Sequence, residues 1–327
     1  MSLPSSILFQ SPDSSVLLLD IPRSLEEAQV LPGQPPRARI YSDAPPAEPF
    51  RLPEPKDGAS TDWPPPSPAA QVADLMASAA AQNALDQLSH GYSGPFCLPR
   101  FSPPDSGAAS PEEPVKIPHG AEYLNGSIQE MRQTFLDKAP QFRLIVLDPP
   151  WPNRSARRRT DSYNTVANLI EMRQLLSNIP IPSHLADDGL VAMWITNKPS
   201  ILEFLTSPTG LFASWGLELV TEWTWLKIIV SGEPLFDMES QWRKPWERLL
   251  IARRVGSRTP LTPKSQVIVA VPDTHSRKPN LRGLFQDILG EGYPALEVFA
   301  RTLTAGWWSW GNEVLRFQGP QHWTAVE

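Results

Sequence analysis

The sequence predicts an α/β protein: a largely parallel, doubly wound sheet in residues 120–327, preceded by a Pro-rich, acidic, partly disordered N-terminal extension over residues 1–119. Three observations carry that expectation. Apolar strand-like runs alternate with helix-period segments from about Gly120 onward. Prolines gather early and tryptophans late, with 22 of the 38 prolines in residues 1–120 and 11 of the 12 tryptophans after them. Charge divides at the same place, since residues 1–120 carry 7 basic and 14 acidic side chains against 22 and 21 in the remainder. The core therefore belongs to the second part, and the net charge of −6 belongs to the first.

In the extension, Pro35-Pro36, Pro45-Pro46 and Pro64-Pro65-Pro66 mark residues 31–68 as extended linker. Two pieces have the pattern of ordered elements that dock on the domain. Val16–Asp20 is a short apolar strand, and Ala69–Leu88 is an amphipathic helix with Val72, Leu75, Met76, Ala79 and Leu85 on its apolar face. Beyond Gly120 the expected order is strand Phe142–Leu147, helix Val166–Leu176, strand Gly189–Thr196, helix Pro199–Leu205 and strands Leu217–Lys227, Glu247–Arg253 and Gln266–Val271. Helix Leu281–Leu289 and strand Ala295–Phe299 close the pattern.

Several function classes are excluded. Cys97 is the only cysteine, so no intrachain disulfide framework or cysteine-rich metal centre is available, which fits a reducing intracellular compartment. His90, His119, His184, His275 and His322 include no pair at metal-ligand spacing, so no metal is expected. No apolar run approaches the ~20 residues of a membrane span. Gly290-Glu291-Gly292 lacks the third glycine of a dinucleotide fingerprint, and no phosphate-binding loop is present.

Asp148-Pro149-Pro150-Trp151 closes the apolar strand Phe142–Leu147, and in doubly wound sheets ligands bind beyond the carboxyl ends of the strands. A strand-ending turn with a packed tryptophan is the alternative reading, and Trp63-Pro64-Pro65-Pro66 shows such a run without a strand before it. The residue types suit transfer to an aromatic amino nitrogen, whose lone pair is delocalised into its ring. The Asp148 carboxylate and the Pro149 carbonyl can each accept an amino hydrogen, Pro150 stiffens the loop, and Trp151 offers a stacking face. Alone, these residues indicate amino methylation without choosing between adenine and cytosine.

Further motifs follow in order: Trp194-Ile195-Thr196-Asn197, Glu222-Trp223-Thr224-Trp225-Leu226-Lys227, Lys244-Pro245-Trp246-Glu247, His275-Ser276-Arg277-Lys278-Pro279, Glu297-Val298-Phe299-Ala300-Arg301 and Trp310-Gly311-Asn312-Glu313. With them the chain resembles, over roughly residues 120–320, the MT-A family of N6-adenosine methyltransferases. Within that family it is most similar to the methyltransferase-like protein 4 branch. The resemblance implies a Rossmann-like domain dependent on S-adenosylmethionine (SAM) and methylation of adenine in nucleic acid. RNA is the implied polymer, with small nuclear RNA as the class, and DNA is the alternative. It also implies a nuclear location.

By the same resemblance, Lys278 reaches the methionine carboxylate, Arg301 the ribose region and Asn312 with Glu313 the adenosine end, while Ser127 falls in a backbone contact and Glu247 lines the entrance. The nucleic acid is expected along Arg154, Arg157, Arg158 and Arg159, with Tyr163 as a second stacking face and Arg243 and Lys244, then Arg253 and Arg254, extending the path. A reading of another class is an inactive RNA-binding or scaffolding relative of such enzymes, which typically lacks the aspartate or tryptophan kept here. A protein partner engaging the extension is left open.

Overall fold

The computed structural model describes residues 5–51, 67–103, 114–152, 168–240, 243–257 and 262–325. In chain order its elements are β1 (Ile7–Gln10), β2 (Val16–Leu19), α1 (Ile21–Ala28), β3 (Ala38–Ile40), α2 (Pro68–Gly91), β4 (Glu122–Asn125), α3 (Ile128–Lys138) and β5 (Phe142–Leu147). They continue with α4 (Leu169–Ser177), α5 (Ile181–His184), β6 (Leu185–Ile195), α6 (Pro199–Thr206), α7 (Leu211–Ser214), β7 (Leu217–Lys227), β8 (Trp246–Arg254) and β9 (Gln266–Ala270). Last come α8 (Arg282–Leu289), β10 (Ala295–Val298), β11 (Trp308–Gly311) and β12 (Trp323–Ala325).

Ten of these strands, among the described residues, form one sheet in the order β1-β2-β9-β7-β8-β6-β5-β10-β11-β4. The run β6-β5-β10-β11-β4 is parallel throughout, as is β2-β9-β7, while β8 is antiparallel to both of its neighbours. β5 lies centrally because Phe142, Leu144, Ile145, Val146 and Leu147 are all buried, so both faces of the strand are covered. One face carries Ile145, Leu147, Val191, Met193 and Trp310, packed under residues of α3, α4 and α6. The opposite face carries Leu144, Val146, Trp194, Trp223 and Ile268, packed under α1 and α8. Helices on both faces make the sheet doubly wound.

Local chemistry sets the helix starts. Ser127 and Glu130 close a reciprocal capping box on α3, and the Asn168 side chain accepts from the amides of Ile170 and Glu171 to begin α4. The first turn of the expected helix Val166–Leu176 lies outside the described residues, and the described helix starts at Leu169.

In residues 1–119 the strand expected at Val16–Asp20 is β2, which pairs in parallel with β9, and α1 lies on one sheet face, so this part docks on the main core. The linker expectation for 31–68 needs correction at β3, which pairs antiparallel with β12. Residues 52–66, including Trp63, lie outside the description.

The helix expected at 69–88 is present, but it buries the other face. Ala77, Ala81, Ala84 and Leu88 pack against Leu226, Trp246, Val267 and Val269, whereas Val72, Leu75 and Met76 are exposed. The large rings and branched chains of the sheet already fill this layer. Alanine is what allows the helix axis to approach it.

Candidate active site

β5 and β10 are adjacent, yet the chain leaves β5 toward β6 on one side and β10 toward β11 on the other. That reversal opens a crevice at the carboxyl edge between them. Asp148 enters it from the end of β5, and Phe299 and Arg301 enter from the end of β10. Its lining includes Trp194, Lys278, Asn280 and Glu297, and Leu25 of α1. Because Glu297 pairs with Val146 in register, its side chain falls on the same sheet face as that of Asp148.

A line of alternating charges crosses this edge. Lys227 pairs with Glu247, and Glu247 also pairs with Lys278 at 3.2 Å. The Lys278 ammonium donates to both Asp148 oxygens at 3.0 Å. Arg301 stands 3.6 Å from Asp148 and donates from Nε to Glu313 at 3.3 Å, and Glu313 also accepts from Arg316 at 2.9 Å. Lys227 and Glu247 meet here because the antiparallel β8 begins where β7 ends. The same reversal carries Arg253 and Arg254 to the opposite edge, where they hold Glu218 and the carbonyls of Pro182 and Leu185. The structure therefore does not bring them to the crevice beside Asp148.

These charges shift one another. Burial alone would raise the Glu247 carboxyl, yet Lys278 and Lys227 outweigh it and hold its pKa at about 2. Burial would lower the Lys278 ammonium, but Asp148 and Glu247 keep it above the ordinary lysine value. Glu297 goes the other way: burial, reinforced by the charge of Asp148, lifts it to about 7 despite Arg301 and Lys278. Burial, with the nearby Arg301, Lys227 and Lys278, depresses His275.

The loop after β5 is braced at each residue. The Trp151 amide donates to the Pro149 carbonyl at 2.8 Å, closing a tight turn through Pro150. Its indole N–H donates to the Trp194 carbonyl at 2.8 Å, and its ring meets Phe204 edge to face at 6.3 Å. Lys198 donates to the Pro152 carbonyl at 2.7 Å. Trp151 is therefore fixed in orientation while remaining partly exposed. The Pro149 oxygen keeps a second lone pair, since a carbonyl accepts twice.

Of the residues expected to bind the donor, Lys278, Arg301 and Glu313 meet in the charge line, and Asn312 is exposed just beyond the end of β11. Ser127 is taken up in the capping of α3, with its amide donating to Glu130 at 3.0 Å. Arg154, Arg157, Arg158, Arg159 and Tyr163 lie outside the described residues. The structure does not bring Arg243 and Lys244 into the charge line. Arg243 lies over Phe236, and Lys244 donates to the Met238 carbonyl. Glu247 sits within the line, committed to two lysines. Sequence reasoning left Glu297 and Lys227 without roles, although a glutamate inside the apolar strand Ala295–Val298 was a readable signal.

The family model described as MT-A70 matches residues 142–313. The chain is 52% identical to the N6-methyladenosine RNA methyltransferase MTA1 of Cryphonectria parasitica, over 97% of this chain and 94% of that protein. It is 38% identical to the N(6)-adenine-specific methyltransferase METTL4 of Mus musculus over 64% of this chain and 45% of that protein. Identity to a Caenorhabditis elegans protein named DNA N6-methyl methyltransferase is 32%, over 64% of this chain and 55% of that one.

Proposed function

The chain belongs to the MT-A70 methyltransferase family, and from that premise we propose that it transfers a methyl group from SAM to the exocyclic N6 amino group of adenine in RNA. The observation that carries this reading is the position of Asp148-Pro149-Pro150-Trp151, set at the switch point of the sheet with Lys278 and Arg301 beside the carboxylate.

The crevice fits the proposed donor by the chemistry of its side chains. Lys278 and Arg301 suit a carboxylate, Asp148 and Glu297 an ammonium, and Asn312 with Glu313 the hydroxyl and ring-nitrogen groups of a nucleoside. Gly311 adds a close approach, since a Cβ there would stand 3.0 Å from the Ala300 carbonyl oxygen. When bound, the donor supplies a methyl already activated on a sulfonium, so alignment of the acceptor provides much of the catalysis.

The remaining work belongs to the side chains of the loop. The Asp148 carboxylate accepts one amino hydrogen and the free lone pair of the Pro149 oxygen accepts the other, holding the nitrogen as it rehybridises and acquires positive charge. Lys278 and Arg301 keep Asp148 oriented. Trp151, tethered by its indole N–H, presents a fixed surface for the base, a contact worth roughly 1–3 kcal/mol. The proton leaves after transfer, when the methylated nitrogen has become acidic.

RNA is preferred over DNA because relatives matching nearly the whole chain are named for RNA. Within RNA we take small nuclear RNA, met in the nucleus, as the first class to test, on the resemblance to the methyltransferase-like protein 4 branch. The test incubates the purified protein with labelled SAM and matched RNA and DNA oligonucleotides, then identifies the methylated nucleoside by mass spectrometry. N6-methyladenosine from RNA is expected, and label confined to cytosine would refute the proposal.

A further inference from the structure

Lys278 is carried on residues 271–281, the segment that leaves β9 and enters α8. Within it Ser276 adopts φ 80°, a left-handed conformation that a non-glycine residue keeps only where its surroundings hold it. Much of what surrounds it comes from residues 1–119. The Arg277 guanidinium donates to the Tyr41 carbonyl at 2.7 Å and to Asp273 at 2.8 Å, and it lies over the Phe317 ring at 4.6 Å. Asp273 faces Arg100 at 3.5 Å, and Arg100 donates to the Val271 carbonyl at 3.1 Å. Beyond Lys278, the Asn280 amide donates to Ser24 Oγ at 3.2 Å.

The side chains of Arg100, Asp273 and Arg277 are 5%, 0% and 1% exposed. They bury two positive charges against one negative; Nε of both arginines, Nη1 of Arg100 and Oδ1 of Asp273 have no hydrogen-bond partner among the described residues, so Arg100 holds Asp273 as an ion pair. Apolar side chains of the same volume often serve stability as well as or better than such a triad. Its distinctive product is the geometry of one loop.

We propose that Arg100 is a positioning residue for the active site: acting through Asp273 and Arg277, it holds residues 271–281 so that Lys278 meets Asp148 and Glu247. An arginine fits this task because its planar fork reaches a carboxylate and a backbone carbonyl together, which a lysine cannot match. The residues before 120 thus supply part of the machinery of the donor site. The inference rests on the proposed use of SAM, so its test carries a readout independent of that ligand.

The full chain is prepared as wild type, Arg100→Lys, Lys278→Met and the double variant, with Arg100→Gln alongside should the lysine variant fail to fold. SAM binding is measured by calorimetry, and hydrogen exchange is followed over the 271–281 peptide. Replacing Arg100 should weaken binding at least about fivefold when Lys278 is present and less than about twofold when it is Met, because the effect passes through that lysine. Exchange over 271–281 should quicken while β5 stays protected. Equal losses in both backgrounds, or wild-type affinity in the Arg100 variant, would overturn the proposal. Failure of the wild type to bind SAM would instead count against the proposed function, and unchanged exchange over 271–281 would still sink the positioning role.

Discussion

Replacing Glu297 by Gln should make the protein more stable at neutral and alkaline pH, although it removes a charged group from the active site. In the folded protein the Glu297 carboxyl is lifted from 4.5 to about 7 by burial and by the charge of Asp148. Between those values the unfolded chain ionises while the folded chain keeps its proton, so stability falls as pH rises through the window and is level on either side of it. A shift of about 2.5 units at about 1.4 kcal/mol per unit gives a cost of about 3 kcal/mol above pH 7. Glutamine keeps the shape and does not titrate. Urea unfolding at pH 4.5, 5.5, 6.5 and 7.5 on both proteins isolates the effect, because other titrating groups cancel in the difference. The variant's advantage should grow across this range by about 3 kcal/mol. A difference that stays within about 0.5 kcal/mol at every pH would refute the reasoning.

Glu247 titrates with the opposite sign. Its carboxyl is held at about 2 by Lys278 and Lys227 against burial, so the stability it contributes is present above pH 4.5 and is lost as pH falls from there toward 2. Glu247→Gln should therefore cost about 3 kcal/mol at pH 7, read by urea unfolding, and much less near pH 3. On α2, Ala81→Leu should destabilise by about 1–3 kcal/mol through overpacking, while Met76→Ala on the exposed face should stay within about 0.5 kcal/mol, both read by thermal melting. Trp310, fully buried and stacked on Phe135 at 4.8 Å, should cost about 3–5 kcal/mol when replaced by alanine, read in the same way.

The legible strands are those whose pattern is set within the strand itself. Phe142–Leu147 and Leu217–Lys227 begin and end where the sequence places them, the first as a mostly apolar run and the second as a long stretch of aromatic, β-branched and leucine residues interleaved with polar ones. β1, β3, β4, β11 and β12 went unread. Each has three or four residues, and a strand that short is defined by what it pairs with. α1 was missed for a related reason: Arg23 and Glu26 look like solvent residues, yet they are 4% and 1% exposed and pair with each other, and Glu26 also with Arg39. In α2 the helical period was visible but the buried face was not, since alanine carries little apolar signal.

The candidate site divides in the same way. Asp148-Pro149-Pro150-Trp151 is contiguous, so its chemistry is readable from the chain. The line from Lys227 to Arg316 is assembled from the ends of five strands and one loop. The motifs that supply it were recognisable, but the contact of Lys278 with Asp148 and Glu247 together depends on sheet order and on the antiparallel β8. Neither is written in any local segment.

The central claim is that Asp148 holds the amino nitrogen during transfer, and Asp148→Asn tests it most directly when single-turnover methylation and SAM binding are measured on the same preparation. The side chain keeps its shape but loses the charge and one acceptor position. The account predicts a transfer rate lower by about 10²–10³. It also predicts that donor affinity falls far less than the transfer rate, because Glu297, Lys278 and Arg301 still line the crevice. A variant that transfers methyl at near the wild-type rate, or whose loss is explained by weaker donor binding alone, would contradict it.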